Sequence, residues 1–214
     1  MTTVRSQEAI CRIVEDRTLE LETKVDSEPD YYNVVVVTED KLLVIEYDAR
    51  NLHLYRRLDG KLMSSHRLES FPNGVCLISK TEVVVCLYDS TIVMLSLKSI
   101  DDVKLVKTFN VKTGFDRCHS VAKWKSDKLV VSGWKLDDRM LYWCVVNLRD
   151  GRVDSTHKVC KVGFGSWSHL AIKHDTIYIS CRTPDSTDVR GVYAFDILNP
   201  HTPKFLYQHD GFIP

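Results

Sequence analysis

The sequence predicts an all-β, propeller-like fold of about four four-stranded antiparallel blades, and three observations carry that expectation. One pattern, an apolar alternating run followed by a tight polar turn and further β-rich runs, opens at Val34, Val75, Val121 and Leu170. The copies start roughly 40–50 residues apart, which is the spacing of propeller blades. None of the four units shows helical periodicity. A single blade cannot bury both of its faces, so blades stack around an axis and present their rims to partners.

The first blade is expected over about residues 33–70. Asn33 to Val37 reads as a fully buried inner strand, and Thr38 to Asp40 turns the chain into a second strand from Lys41 to Tyr47. After a turn at Asp48 to Asn51, Leu52 to Arg56 alternates with period two, as a half-exposed strand does. Asp59-Gly60 is a hairpin signal that leads into an outer strand at Leu62-Met63.

The second blade, about 71–112, repeats this order with strands at Gly74 to Ile78, Glu82 to Tyr88 and Thr91 to Leu97, and an outer strand near Val103 to Val111. The third, about 117–163, has Ser120 to Trp124, Lys128 to Trp134 and Leu141 to Val146, then a second Asp-Gly hairpin at Asp150-Gly151. The fourth, about 166–208, runs through Ser168 to Ile172, Thr176 to Cys181, a polar loop from Thr183 to Arg190, Gly191 to Asp196 and Phe205 to Tyr207.

The two ends carry further expectations. Leu19 to Val25 alternates like an outer strand, placed to close the ring by completing the last blade and removing its exposed edges. Gln208 to Pro214 reads as the lead-in to another inner strand, so the chain is expected to be part of a longer propeller that self-associates if left incomplete. Residues 1–18 carry only a short helical face at Ala9-Ile10 and Ile13-Val14.

Composition bounds the function. Lys plus Arg and Asp plus Glu are both 29, so the formal net charge is zero, which argues against a strongly basic nucleic-acid surface. No run approaches the roughly 18 apolar residues that span a bilayer, and Met1 to Glu8 has no apolar secretory core. The seven cysteines include no C-x-x-C pair, and several sit inside apolar runs, so they are expected to be buried free thiols in a cytoplasmic protein.

Two stretches carry a family resemblance over about residues 19–214. One runs from Tyr32-Asn33-Val34 to Asp48 around Lys41-Leu42-Leu43-Val44. The other combines Tyr178 to Cys181, Gly191 to Asp196 and Tyr207 to Asp210. Together they resemble the NHL-like propellers that end many animal tripartite-motif proteins. The resemblance implies a six-bladed parent propeller, of which this chain supplies four blades and the edges of two more, and a role in recruiting substrates for ubiquitin ligation. The family's ligase activity resides in a zinc-binding RING finger, and no such Cys/His cluster is present in this sequence. The resemblance therefore implies recognition of a protein partner, not catalysis. Related propellers that bind RNA keep that alternative open.

Candidate sites follow from blade order. A polar residue stands just before or at the start of each inner strand, at Asn33, Asn73, His119 and His169, and these positions converge near the axis. With Trp167 in the adjoining connector, Asn73, His119 and His169 form a candidate partner-binding rim. The plainer reading is that they are hydrogen-bonded turn residues fixing each blade entry. Lys123, Trp124, Lys125 and Trp134 interleave basic and aromatic groups and form a candidate RNA patch, against inter-blade packing as the plainer reading. Arg56, Arg57 and Lys61 form a smaller patch of the same kind. A calcium-dependent hydrolase propeller of the gluconolactonase type would need carboxylates converging on the axis, whereas this set is two His and two Asn, and adjacent Cys118 and His119 are a poor chelate. No metal or cofactor is expected.

Overall fold

Alternating apolar residues with a period of two place successive side chains on opposite faces of a strand. A strand that lies between two neighbouring sheets must then be apolar on both faces. The second strands of the two middle units, buried throughout at 83–87 and 129–134, meet this requirement. The computed structural model describes residues 31–99, 102–110, 113–161, 168–182, 190–201 and 204–209. The segment 1–18, the expected closing strand over 19–25 and Trp167 lie outside the described residues.

Among the described residues, sixteen strands form four antiparallel sheets, each ordered as four consecutive strands. Sheet 1 contains β1 (Tyr31–Thr38), β2 (Lys41–Glu46), β3 (Asn51–Arg56) and β4 (Leu62–Arg67). Sheet 2 contains β5 (Pro72–Ser79), β6 (Glu82–Leu87), β7 (Thr91–Ser99) and β8 (Asp102–Asn110). Sheet 3 contains β9 (Arg117–Lys125), β10 (Lys128–Lys135), β11 (Met140–Asn147) and β12 (Val153–Lys161). Sheet 4 contains β13 (Ser168–Lys173), β14 (Thr176–Arg182), β15 (Arg190–Asp196) and β16 (Lys204–His209). The first strands β1, β5, β9 and β13 pack against one another in sequence and form the inner edge of the stack.

The core divides as the alternation dictates. On β6, Val83 and Val85 pack toward Leu43, Ile45, Leu52 and Leu54 of sheet 1, while Val84 and Cys86 pack toward Leu129, Val131 and Cys144 of sheet 3. On β10, Leu129 and Val131 face sheet 2, and Val130 and Trp134 face Ile177, Ile179 and Phe195 of sheet 4. At the end of the stack this logic stops. Val34 and Val36 of β1 are 56% and 54% exposed, although the sequence predicts a fully buried strand there. The reason is positional: they point away from sheet 2, and among the described residues no further sheet lies on that side.

Turn chemistry fixes the registers. Gly60 and Gly151 take φ of 69° and 73° in the two Asp-Gly hairpins, the left-handed conformation those turns require. Arg50, Ser90 and Arg139, all at the turn between a second and a third strand, also have positive φ, at 57°, 67° and 53°. Inner strands approach one another closely at Gly74, where a Cβ would stand 2.8 Å from the Ser120 Cα and 2.9 Å from the Cys86 Sγ. Glycine is required there by space.

At the end of the stack opposite the inner-strand starts, one hydrogen bond recurs in all four sheets. Arg57, Leu97, Leu148 and Ile197 donate their backbone N–H to the carbonyls of Asp40, Thr81, Asp127 and Asp175, at 2.7, 2.7, 2.8 and 2.8 Å. Each ties the end of a third strand to the two-residue turn between the first and second strands of its own sheet.

Candidate binding rim

Strand direction sorts every loop to one of two ends. The inner strands begin at one end, here the upper rim, together with the turns between second and third strands. The other end carries the tight first-to-second-strand turns.

Aromatic and arginine side chains from three sheets line the upper rim in one unbroken stack. The Arg50 guanidinium lies 4.3 Å from the Phe71 ring centroid, and its Nη1 donates to the Glu69 carbonyl at 3.3 Å. Phe71, just before β5, meets Tyr47 at 5.1 Å and Tyr88 edge-on at 6.4 Å. The Arg117 guanidinium lies 4.4 Å from the Tyr88 centroid and 5.1 Å from that of Trp134. Tyr47, Arg50, Phe71, Tyr88 and Arg117 are all half-buried, so each has packing on one side and solvent on the other. Neither Arg50 nor Arg117 forms an ion pair among the described residues. Stacking holds their planar groups in place while N–H donors remain to offer. Exposed Asp48, Glu69, Asp89 and Asp116 punctuate the same rim, so its charge is of mixed sign.

Of the predicted rim residues, Asn73 and His119 lie beside this stripe and are engaged inside the fold. Asn73 is fully buried, and its Nδ2 donates to the Cys118 carbonyl at 2.5 Å, tying sheet 2 to sheet 3. His119 is also buried, with its ring 6.2 Å from that of Trp134 and its Nδ1 3.5 Å from the Ser168 Oγ. Burial, with Arg117 and His169 nearby, pushes His119 down to about 4 from the ordinary 6.5. Ser168 continues the chain of contacts to the Ser132 Oγ at 3.2 Å. His169 points outward and is exposed, and Asn33 is half-buried. The inner-strand entries stand at the upper end of the stack, where their neighbours Phe71 and Arg117 are half-buried. A repeat of Tyr-Asp at the end of the second strand, Tyr47-Asp48 and Tyr88-Asp89, is the signal in the sequence that marks the stripe.

The candidate RNA residues separate. Lys123, Trp124 and Lys125 close β9 at the lower end, whereas Trp134 closes β10 at the upper rim and is 1% exposed. Trp124 is half-buried and donates its Nε1–H to the Asp175 Oδ1 at 2.8 Å, with the Lys125 Nζ 4.1 Å over its ring. Lys123 reaches the Ile78 carbonyl at 2.5 Å. These side chains tie sheet 3 to sheets 2 and 4. Arg56, in the smaller basic patch, pairs with Asp59 at 2.5 Å. Among the described residues no three His, Cys, Asp or Glu side chains gather as a metal site, and no helix is long and apolar enough to cross a membrane.

No protein-family model matches the chain, and no curated protein sequence is similar to it. Solved structures are similar in fold. The WD40 β-propeller domain of Doa1 matches with a TM-score of 0.54 at 15% identity, over 79% of this chain and 51% of that one. Hydrazine synthase from Kuenenia stuttgartiensis matches with a TM-score of 0.56 at 12% identity, over 73% and 48%. BamB from Moraxella catarrhalis matches with a TM-score of 0.46 at 14% identity, over 79% and 46%. The chain thus spans about half the length of these structures. Four sheets of four consecutive antiparallel strands, stacked on their inner strands and aligned with the Doa1 propeller, make this an all-β chain of β-propeller fold.

Proposed function

We propose that the chain is a protein-recognition propeller that binds its partner at the upper rim. The observation that supports this is the stripe Arg50, Phe71, Tyr88 and Arg117, with Tyr47 beside it. Aromatic residues and arginine dominate binding hot spots because they bury large areas and lose little freedom on binding. Here stacking has already ordered them, which lowers the entropy cost of docking. The chemistry best suited to the stripe is a peptide segment with carboxylates for the two guanidiniums and an apolar side chain for the rings between them. RNA fits less well, because Asp48, Glu69, Asp89 and Asp116 repel phosphate along the same rim. In this reading the chain recognises and does not catalyse. Its partner is a cytoplasmic protein which, following the tripartite-motif resemblance, is presented to a ubiquitin ligase.

The test compares affinity capture by three proteins: the unchanged chain, a rim variant (Arg50→Ala, Tyr88→Ala, Arg117→Ala) and a lower-end control (Arg57→Ala, Leu58→Ala). The expected result is a protein partner held by the unchanged chain and the control, lost by the rim variant and insensitive to ribonuclease. Equal capture by all three refutes the assignment of the rim. Capture that disappears with ribonuclease and falls steeply with salt makes the ligand RNA.

A further inference from the structure

Cys160 and Cys181 are placed apart by the sequence and brought together by the fold. Cys160 stands near the end of β12, the outer strand of sheet 3, and Cys181 near the end of β14, in sheet 4. Their sulfurs are 3.1 Å apart. Both belong to the apolar contact between the two sheets, in which Tyr193 packs beside them. Cys181 is buried, and Cys160 is half-buried and gives solvent a way in.

We propose that Cys160 and Cys181 are a disulfide-forming pair, a reversible modification site that pins sheet 3 to sheet 4. Two sulfurs held in contact by two packed sheets need little movement to bond, and loss of that freedom is already part of the fold. The thiolate is the attacking form in thiol–disulfide exchange. The hydrogen bond from Cys160 holds the Cys181 thiol below its ordinary value and raises Cys160. The other described cysteines differ. Burial pushes Cys76 and Cys118 up to about 12 and raises Cys86 and Cys144 well above the ordinary value, which leaves them inert packing groups.

The oxidant is a small-molecule disulfide such as oxidised glutathione. One protein thiolate attacks it, forming a mixed disulfide and expelling one small thiolate. The second protein sulfur, on losing its proton, attacks the protein-side sulfur and expels the other. One S–S bond breaks and one forms, the two protein thiols are oxidised, and two small thiols leave with the two protons.

The experiment oxidises the purified chain with oxidised glutathione, alkylates the remaining thiols and maps the peptides by mass, with a thermal melt on the same samples. The expected result is a Cys160–Cys181 linkage that dithiothreitol removes. The melting temperature should rise by about 5–10 °C on oxidation, from closing the loop between the two residues. Cys160→Ser and Cys181→Ser should each abolish both effects. Alkylation of both cysteines after oxidation, or linkage of either one to a different cysteine, overturns the proposal. A linkage that leaves the melting temperature unchanged overturns the pinning.

Discussion

His119 predicts a specific weakness to acid. Its imidazole is buried beside Trp134 of sheet 3 and Ser168 of sheet 4, and desolvation, with Arg117 and His169 adding like charge, holds it down at about 4. The unfolded chain protonates the same ring near 6.5. Between these two values the unfolded state binds more protons, so stability is whole above pH 6.5 and is lost progressively as pH falls towards 4. The cost of keeping His119 neutral is about 2 kcal/mol at pH 5 and about 3 kcal/mol below pH 4. For a chain of 214 residues, 2 kcal/mol corresponds to a fall of about 4–8 °C in melting temperature. The assay is thermal unfolding from pH 7.5 to 4.0 for the unchanged chain and for His119→Gln, which keeps a polar group near Ser168 and cannot titrate. His157, also held low, by partial burial and His201, is common to both proteins and cancels in the difference. The unchanged chain should lose about 2 kcal/mol more than His119→Gln between pH 7 and 5. Parallel curves would refute the argument, because they would mean that His119 takes up its proton at the same pH folded and unfolded.

Three further substitutions test the packing. Gly74→Ala places a Cβ within 3 Å of the Ser120 backbone and should destabilise by about 1–3 kcal/mol in a denaturant titration, since β5 and β9 must part. Trp143→Ala empties a fully buried site beside His157, 4.3 Å away, and Phe195, and should cost about 3–5 kcal/mol by the same measurement. Gly60→Ala sets a side chain at φ 69° in the first hairpin and should cost about 1 kcal/mol; no loss there would mean the turn relaxes to another type.

Periodicity and turn chemistry made much of the fold legible. Asp59-Gly60 and Asp150-Gly151 announce their hairpins because few residues tolerate positive φ. The run Val83-Val84-Val85-Cys86 announces a strand sandwiched between two sheets because both alternating faces are apolar. Neighbours are not written in a strand's own period, however. Val34 to Val37 reads like Val83 to Cys86, yet Val34 and Val36 are exposed because their sheet is at the end of the stack. The same gap affects the site. Trp124 and Trp134 look alike in sequence, but strand direction sends them to opposite ends. The stripe from Arg50 to Arg117 spans three sheets, so its members meet only after stacking. Asn73 and His119 stand at inner-strand entries and serve the joints between sheets, since a polar group that enters a core must find its partner there.

The recurring bond at the lower end bears on how such a chain can change. All four first-to-second-strand turns are two residues long, and each is held by the same backbone contact. An insertion at any of them would cost both the turn and the bond. The second-to-third-strand connections differ in length, from the three residues 88–90 to the seven between β14 and β15, although Arg50 and Ser90 each donate a backbone N–H within their own turn. The invariant element is therefore the first-to-second-strand turn, whereas the rim that carries the aromatic–arginine stripe has connections of unequal length. New specificities could be written there by lengthening loops, with the opposite turns keeping each sheet in register while the sequence drifts.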